Sequence, residues 1–389
     1  MPFKFTRYLY ELEEVCISLT LSLLNKSEEV LFWGYELYYS GFKQELVDLI
    51  WKIYYDFYST LNPSFEAYLL KKNTIDNFND VKNIANILNS FLIRPYNLDV
   101  FMSRQIIKNF EIEFVKEDLH QLLVGGDSIN IAYYILEIVE ERNIDDVINI
   151  ILNYFQELSL NLNLNLNLNL NLTINKIKLL KLWHKVKSLS CSKVIILSYI
   201  FRYYAAIQNL KTGKNLYVVV NDEDIVLYET IEIDLTFNYE TKRERLKSRK
   251  ILQNAYLYSI DSSNYLKLFN LKRDKCNFKE AYYYNWLYYA SYSPLWKSRI
   301  DAYNGIIDNE NKTVEFLDSD DSDSDDNLQE FYLNYGYEPD EQPLNTQNKC
   351  LEITQNPDKN WASFYKKYKG NGVVKIDHEY LDEMEKVVY

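Results

Sequence analysis

Histidine is nearly missing from this chain, with three in 389 residues. None of His120, His184 and His378 stands in the HExxH spacing of a zinc hydrolase, at zinc-finger distance from a cysteine, or beside a nucleophile elbow. Cysteine is scarce as well. Cys16, Cys191, Cys276 and Cys350 are scattered singly with no CxxC pair, a pattern of free thiols in a reducing compartment rather than a disulfide framework. No apolar run reaches the length of a membrane span, because charge or Asn interrupts each one. The N-terminus lacks an apolar core followed by a small-residue cleavage site. No phosphate loop is present either. Gly125-Gly126-Asp127 follows no strand, and Lys211 to Lys214 holds Gly-Lys without the rest of the motif. The expectation is a cytosolic or nuclear protein with no catalytic site, no metal site and no cofactor.

What the chain does have is tyrosine, 36 of them, within an otherwise ordinary hydrophobic fraction of 47%. A Tyr ring buries area while its hydroxyl stays polar, which suits contact with partners. Codon bias toward Asn, Lys, Ile, Tyr and Leu is the plainer explanation of the same count. The formal net charge is -13, and six Asp between Asp318 and Asp326 supply part of it. That balance argues against coating duplex DNA, which needs a dense basic face.

The length suggests two or three domains. Residues 1–158 read as helical hairpins, with apolar stripes over 5–24, 28–39, 45–58, 81–92, 98–110, 117–123, 129–141 and 147–158. Ser40-Gly41 stops the second, and Pro63 fits a first helical turn capped by Asn62. Such hairpins predict a HEAT-like array or an irregular bundle. Residues 159–173 are a Leu-Asn low-complexity insertion, read as a loop rather than a strand. Residues 174–317 predict helices plus a β-hairpin over 216–220 and 225–233, turning at Asn221 to Asp224, with a short strand at 314–317. Residues 318–327 are an acidic linker, disordered by composition, and 328–389 a tail of short helices and turns, extended over 373–376. The fold class predicted is mostly α, with a smaller α+β part toward the C-terminus.

Two features point to binding. Lys242, Arg243, Arg245, Lys247, Arg249 and Lys250 place six cations in nine residues, enough to neutralise phosphates of RNA or single-stranded nucleic acid, with Tyr239, Tyr256 and Tyr258 flanking them for base stacking. A solvated helix, or a mate for the Asp318 to Asp326 run, is the alternative. Aromatic clusters are the second feature. Trp33, Tyr38, Tyr39 and Trp51 form one, and Tyr282, Trp286, Leu287, Tyr288 and Trp296 another. Rings on every face of a helix are either core or interface anchors.

The segments 31–42 (Leu-Phe-Trp-Gly-Tyr-Glu-Leu-Tyr-Tyr-Ser-Gly-Phe), 288–300 and 335–341 (Tyr-Gly-Tyr-Glu-Pro-Asp-Glu) resemble a protein family of large nucleocytoplasmic DNA viruses of the mimivirus kind. The resemblance implies a host-cytoplasmic phase or a place in the virion, and partners among viral or host proteins. It carries no chemistry onto these residues. The helical-hairpin pattern is also similar to translation-initiation scaffolds that hold a cap-binding protein through Tyr-x4-Leu-hydrophobic. Tyr282 with Leu287-Tyr288, and Tyr96 with Phe101-Met102, are near matches. The functional expectation is a non-catalytic scaffold or adaptor in viral translation or transcription. The alternatives are a nucleic-acid-binding accessory factor and a virion component, with no membrane partner in any case.

Overall fold

A computed structural model of the chain describes residues 2–109, 118–161, 189–229, 260, 265–317, 326–342, 344 and 358–386. Among these, the protein is mostly helical, with one small antiparallel sheet, as the sequence predicts. In chain order the helices are α1 (Leu12–Asn25), α2 (Val30–Tyr39), α3 (Lys43–Ile53), α4 (Phe65–Lys72), α5 (Lys82–Leu92), α6 (Asp99–Asn109), α7 (Leu119–Gly125), α8 (Ser128–Tyr133) and α9 (Ile144–Asn161). Then follow α10 (Leu189–Ile207), α11 (Glu223–Glu229), α12 (Phe278–Tyr283), α13 (Trp286–Ala290) and α14 (Pro294–Ala302). Strands β1 (Gly305–Asp308) and β2 (Thr313–Phe316) precede α15 (Asp326–Tyr335), α16 (Trp361–Tyr368) and α17 (His378–Lys386).

The chain forms two compact units, each assembled from separated stretches. One comprises Met1–Ile50, Leu70–Ile93 and Leu216–Lys359; the other Trp51–Leu69, Arg94–Asn215 and Asn360–Tyr389. The consecutive segments read from the sequence and these interleaved units are different divisions of the chain.

In the first unit α1, α2 and α5 pack together. Gly34 is what lets α2 meet α5 so closely, since a Cβ there would lie 2.4 Å from Leu88 Cδ1. The predicted helix over 5–24 begins only at Leu12, where the Glu11 side chain accepts from the Glu14 N–H. Residues 5–11 close a tight loop instead, through a Phe5–Glu11 bridge and Leu9 at φ 62°. Long-range partners explain it: the Arg7 N–H donates to Ser40 Oγ and the Tyr8 N–H to Glu36 Oε1. Ser293 and Pro294 open α14, with Ser293 Oγ accepting from the Trp296 N–H at 3.2 Å.

The predicted hairpin over 216–233 is corrected. Among the described residues, 216–220 form no strand, and their Val218 and Val220 N–H groups donate to Ser90 Oγ (3.0 Å) and Asn86 Oδ1 (2.7 Å) on α5. The acids expected in a turn start α11, where Glu223 and Asp224 complement the positive end of the helix. Residues 230–233 lie outside the described residues. The hairpin found among the described residues pairs Gly305 with Phe316 through to Asp308 with Thr313. Asp308 shapes its turn by accepting from the N–H groups of Glu310 and Asn311.

In the second unit Tyr54–Tyr58 forms one π-helical turn with every residue buried. Phe57 packs on Phe101 of α6 at 4.8 Å, and Phe101 in turn meets Phe364 of α16 at 5.8 Å. Asn62 does not cap a helix at Pro63, because α4 starts later and the Asn62 amide donates to the carbonyls of Tyr58 and Pro95. Leu160 and Asn161 end α9. The remainder of the Leu-Asn stretch and the acidic run 318–325 lie outside the described residues, as do a helix read over 241–258 and all but the last residue of one read over 174–189.

Candidate functional site

The aromatic candidates separate by depth. In the first unit Trp33, Tyr282, Trp286, Leu287, Tyr288 and Trp296 are buried. Trp33 meets the rings of Tyr10 and Phe32, and Trp296 stands edge-on to Trp286 at 5.4 Å while its indole N–H donates to the Thr6 carbonyl. Tyr282 packs against Phe5 at 5.8 Å. The Tyr288 hydroxyl bonds that of Tyr292 at 2.7 Å; this bond, with burial second, pushes it up to about 12. These side chains are committed to the interior, each contributing roughly 1.5–3 kcal/mol by area. Both near matches to the cap-binding-protein motif sit in this kind of setting, for Leu287, Tyr288, Phe101 and Met102 are all buried.

Half-buried rings remain. Tyr38 is covered by the Lys43 ammonium at 4.7 Å, and Tyr39 by the Arg7 guanidinium at 4.7 Å. Trp51, in the second unit, stacks on Tyr55. One ring of the 282–289 block points outward: Tyr284 is 78% exposed at the end of α12, beside Tyr283, whose ring lies under the Lys279 ammonium. The basic candidates Lys242, Arg243, Arg245, Lys247, Arg249 and Lys250 lie outside the described residues.

Four buried polar centres were not legible as sites. In the first unit Arg7 and Glu36 form an ion pair at 2.8 Å. Nearby in sequence, Glu11 is buried beside Glu13, and burial above all pushes its carboxyl up to about 7. In the second unit Glu66 accepts from the hydroxyls of Tyr199 (2.8 Å) and Tyr55 (3.2 Å), with the Arg202 guanidinium 3.9 Å away. Here too lies Asp99, whose carboxylate receives the N–H groups of Val373 (2.9 Å) and Val374 (3.2 Å) and the Asn97 amide (3.0 Å). Burial pushes Asp99 up to about 6, against those two backbone bonds. A signal for such acids exists in hindsight: Glu36 interrupts an apolar run where a solvated acid has no place. All four carboxyls hold backbone or side-chain groups of the same unit. Among the described residues no group of three or more His, Cys, Asp or Glu is placed to hold a metal ion.

Among these residues no helix is long and apolar enough to cross a membrane. The architecture defines a helix-rich chain of two interleaved units. No family model, no curated protein and no solved structure matches it.

Proposed function

We propose that the protein is a non-catalytic helical scaffold that brings other proteins together, with the viral resemblance supplying the setting of viral or host gene-expression partners. The observation that supports this reading is Tyr284. Its ring is exposed at the end of α12, while Tyr282, Trp286, Leu287, Tyr288 and Tyr289 of the same block are buried, so the backbone that carries it is anchored on both sides. Tyr on a firm base is a recurrent hot-spot residue, because it offers area at small entropic cost. Tyr38 and Tyr39 add further partly covered rings in the same unit.

The test is affinity purification of the full chain from infected cells, in parallel with Tyr284→Ala. The scaffold reading expects a defined set of co-purifying proteins, at least one of which is reduced ten-fold or more by the substitution while the variant keeps its thermal midpoint. Recovery of the chain alone as a monodisperse monomer, with or without Tyr284, would sink it.

A further inference from the structure

The chain is acidic overall, yet three of its segments hold no acid and they meet. Residues 94–98, 205–215 and 361–376 contain neither Asp nor Glu. All three belong to the second unit. By contrast, residues 118–161 of that unit carry eight acids against Arg142 and no lysine. The unit's acids lie outside these three segments, and five of them follow the third directly, at residues 377–386.

Backbone hydrogen bonds hold the acid-free segments in place. The Gly213 N–H donates to the Leu61 carbonyl at 2.8 Å, and adjacent Asn62 donates to the Pro95 carbonyl at 2.7 Å. On the other flank Asn97 forms an antiparallel bridge with Gly370, and the Leu98 N–H donates to the Lys369 carbonyl at 3.3 Å. The segment 94–98 thus carries the loop of Lys211 and Lys214 on one side and the turn after Lys366 on the other. Lys211, Lys214, Lys366 and Lys369 are exposed and make no ion pair among the described residues. Between the two flanks sits Tyr96, half-buried, its ring 5.8 Å from that of Tyr58.

We propose that this lysine surface binds single-stranded nucleic acid, with the four ammonium groups on backbone phosphates and Tyr96 against an unpaired base. Because the loops are already hydrogen-bonded, binding has to order only the lysine side chains and not the backbone that carries them. Beyond its packing on Tyr58, a tyrosine among them offers a ring face that an unpaired base can stack on and an oligo-glutamate chain cannot. A duplex keeps its base faces stacked and hidden. The surface is separate in sequence from Lys242 to Lys250.

The experiment is fluorescence anisotropy of the full chain with labelled oligo(U) and oligo(dT) across a salt series. Binding should weaken with salt, and the double variant K211E/K369E should lose ten-fold or more in affinity while its salt slope drops by about 0.7 for each lysine. Tyr96→Phe should bind as the parent does, and Tyr96→Leu more weakly, with circular dichroism confirming that both fold. The proposal is overturned if an oligo-glutamate peptide of equal charge binds as tightly, if K211E/K369E leaves slope and affinity unchanged, or if neutralising Lys242, Arg243, Arg245 and Arg249 alone removes all binding.

Discussion

Arg7 and Glu36 meet 2.8 Å apart with side chains only 1% and 0% exposed, a fully buried ion pair linking the N-terminal loop to α2. The pair is well furnished. Glu36 also accepts from the Tyr8 N–H, and the Arg7 guanidinium donates to the Tyr228 carbonyl while lying against the rings of Tyr8 and Tyr39. Removing one member strands the other in an apolar setting, at a cost of about 3–5 kcal/mol, whereas replacing both with apolar residues of similar size costs much less. Arg7→Met and Glu36→Leu should each lower the urea midpoint strongly, and the double variant should recover most of the loss. Additive losses in that double-mutant cycle would show that the two side chains act independently.

Glu11 gives the first unit an unusual response to pH. Its folded carboxyl holds a proton up to about pH 7, well above its ordinary value of 4.5. The native state therefore binds more protons than the unfolded state between those values, and its contribution to stability falls as pH rises through the window. At 1.36 kcal/mol per unit the full effect is about 3 kcal/mol. Glu11→Gln retains an oxygen for the Glu14 N–H and cannot ionise. Denaturation of parent and variant from pH 4 to pH 8 should show the variant gaining relative stability as pH rises, levelling above about 7. A constant difference over that range would mean that Glu11 does not titrate in the folded state.

The limits of sequence reading show in where backbone groups find partners. The stop at Ser40-Gly41 was readable because helix termination is local, a matter of neighbours in the chain. The stretch 216–229 was not. Its β-branched residues suit a strand, but Val218 and Val220 reach acceptors on α5 that lie more than a hundred positions earlier, and no local pattern announces them. The early loop at 5–11 has the same cause, since Glu36 and Ser40 supply its acceptors. Helix positions and the mostly-α class were legible because a 3.6-residue stripe is itself a local signal. The exposed ring of Tyr284 was hidden among the five other rings of the 282–289 block, and the lysine surface around Tyr96 needed three distant segments to be brought together.

Asp99 and Gly370 make a second pH-dependent element, in the other unit. Asp99 pins the backbone at Val373 and Val374, and Gly370, at φ 61°, presses its Cα face toward the Tyr96 carbonyl, where a Cβ would sit 2.2 Å from the oxygen. Gly370→Ala collides with backbone and takes a left-handed conformation, so it should cost about 1–3 kcal/mol. Asp99→Ala should release the segment instead: hydrogen exchange at the Val373 and Val374 amides should quicken markedly, with α10 unaffected. The Asp99 carboxyl should titrate near pH 6 by carbon-detected NMR. Because its folded value is raised, its contribution also declines as pH rises from about 4 to about 6. Unchanged exchange at both amides in Asp99→Ala would rule out the carboxylate as their anchor.

Tyr199 tests the remaining buried centre. Its hydroxyl donates to Glu66 at 2.8 Å and, with those of Tyr54, Tyr55 and Tyr58, is held well above the usual phenol range, chiefly by burial. A phenol with a raised folded value keeps its proton in the native state, so these groups contribute stability that is lost as pH climbs past about 10, the unfolded value. Alkaline titration should therefore separate two tyrosine populations by phenolate absorbance, one ionising reversibly and one appearing only with cooperative unfolding. Tyr199→Phe takes away a hydrogen bond to a buried carboxylate and leaves Tyr55 as a hydroxyl donor to Glu66, a loss of about 1.5–3 kcal/mol. Glu66→Ala should cost more, because it orphans both hydroxyls and the Arg202 charge together. If all tyrosines ionise in one reversible step with the fold intact, the Glu66 centre is open to water and its burial is refuted.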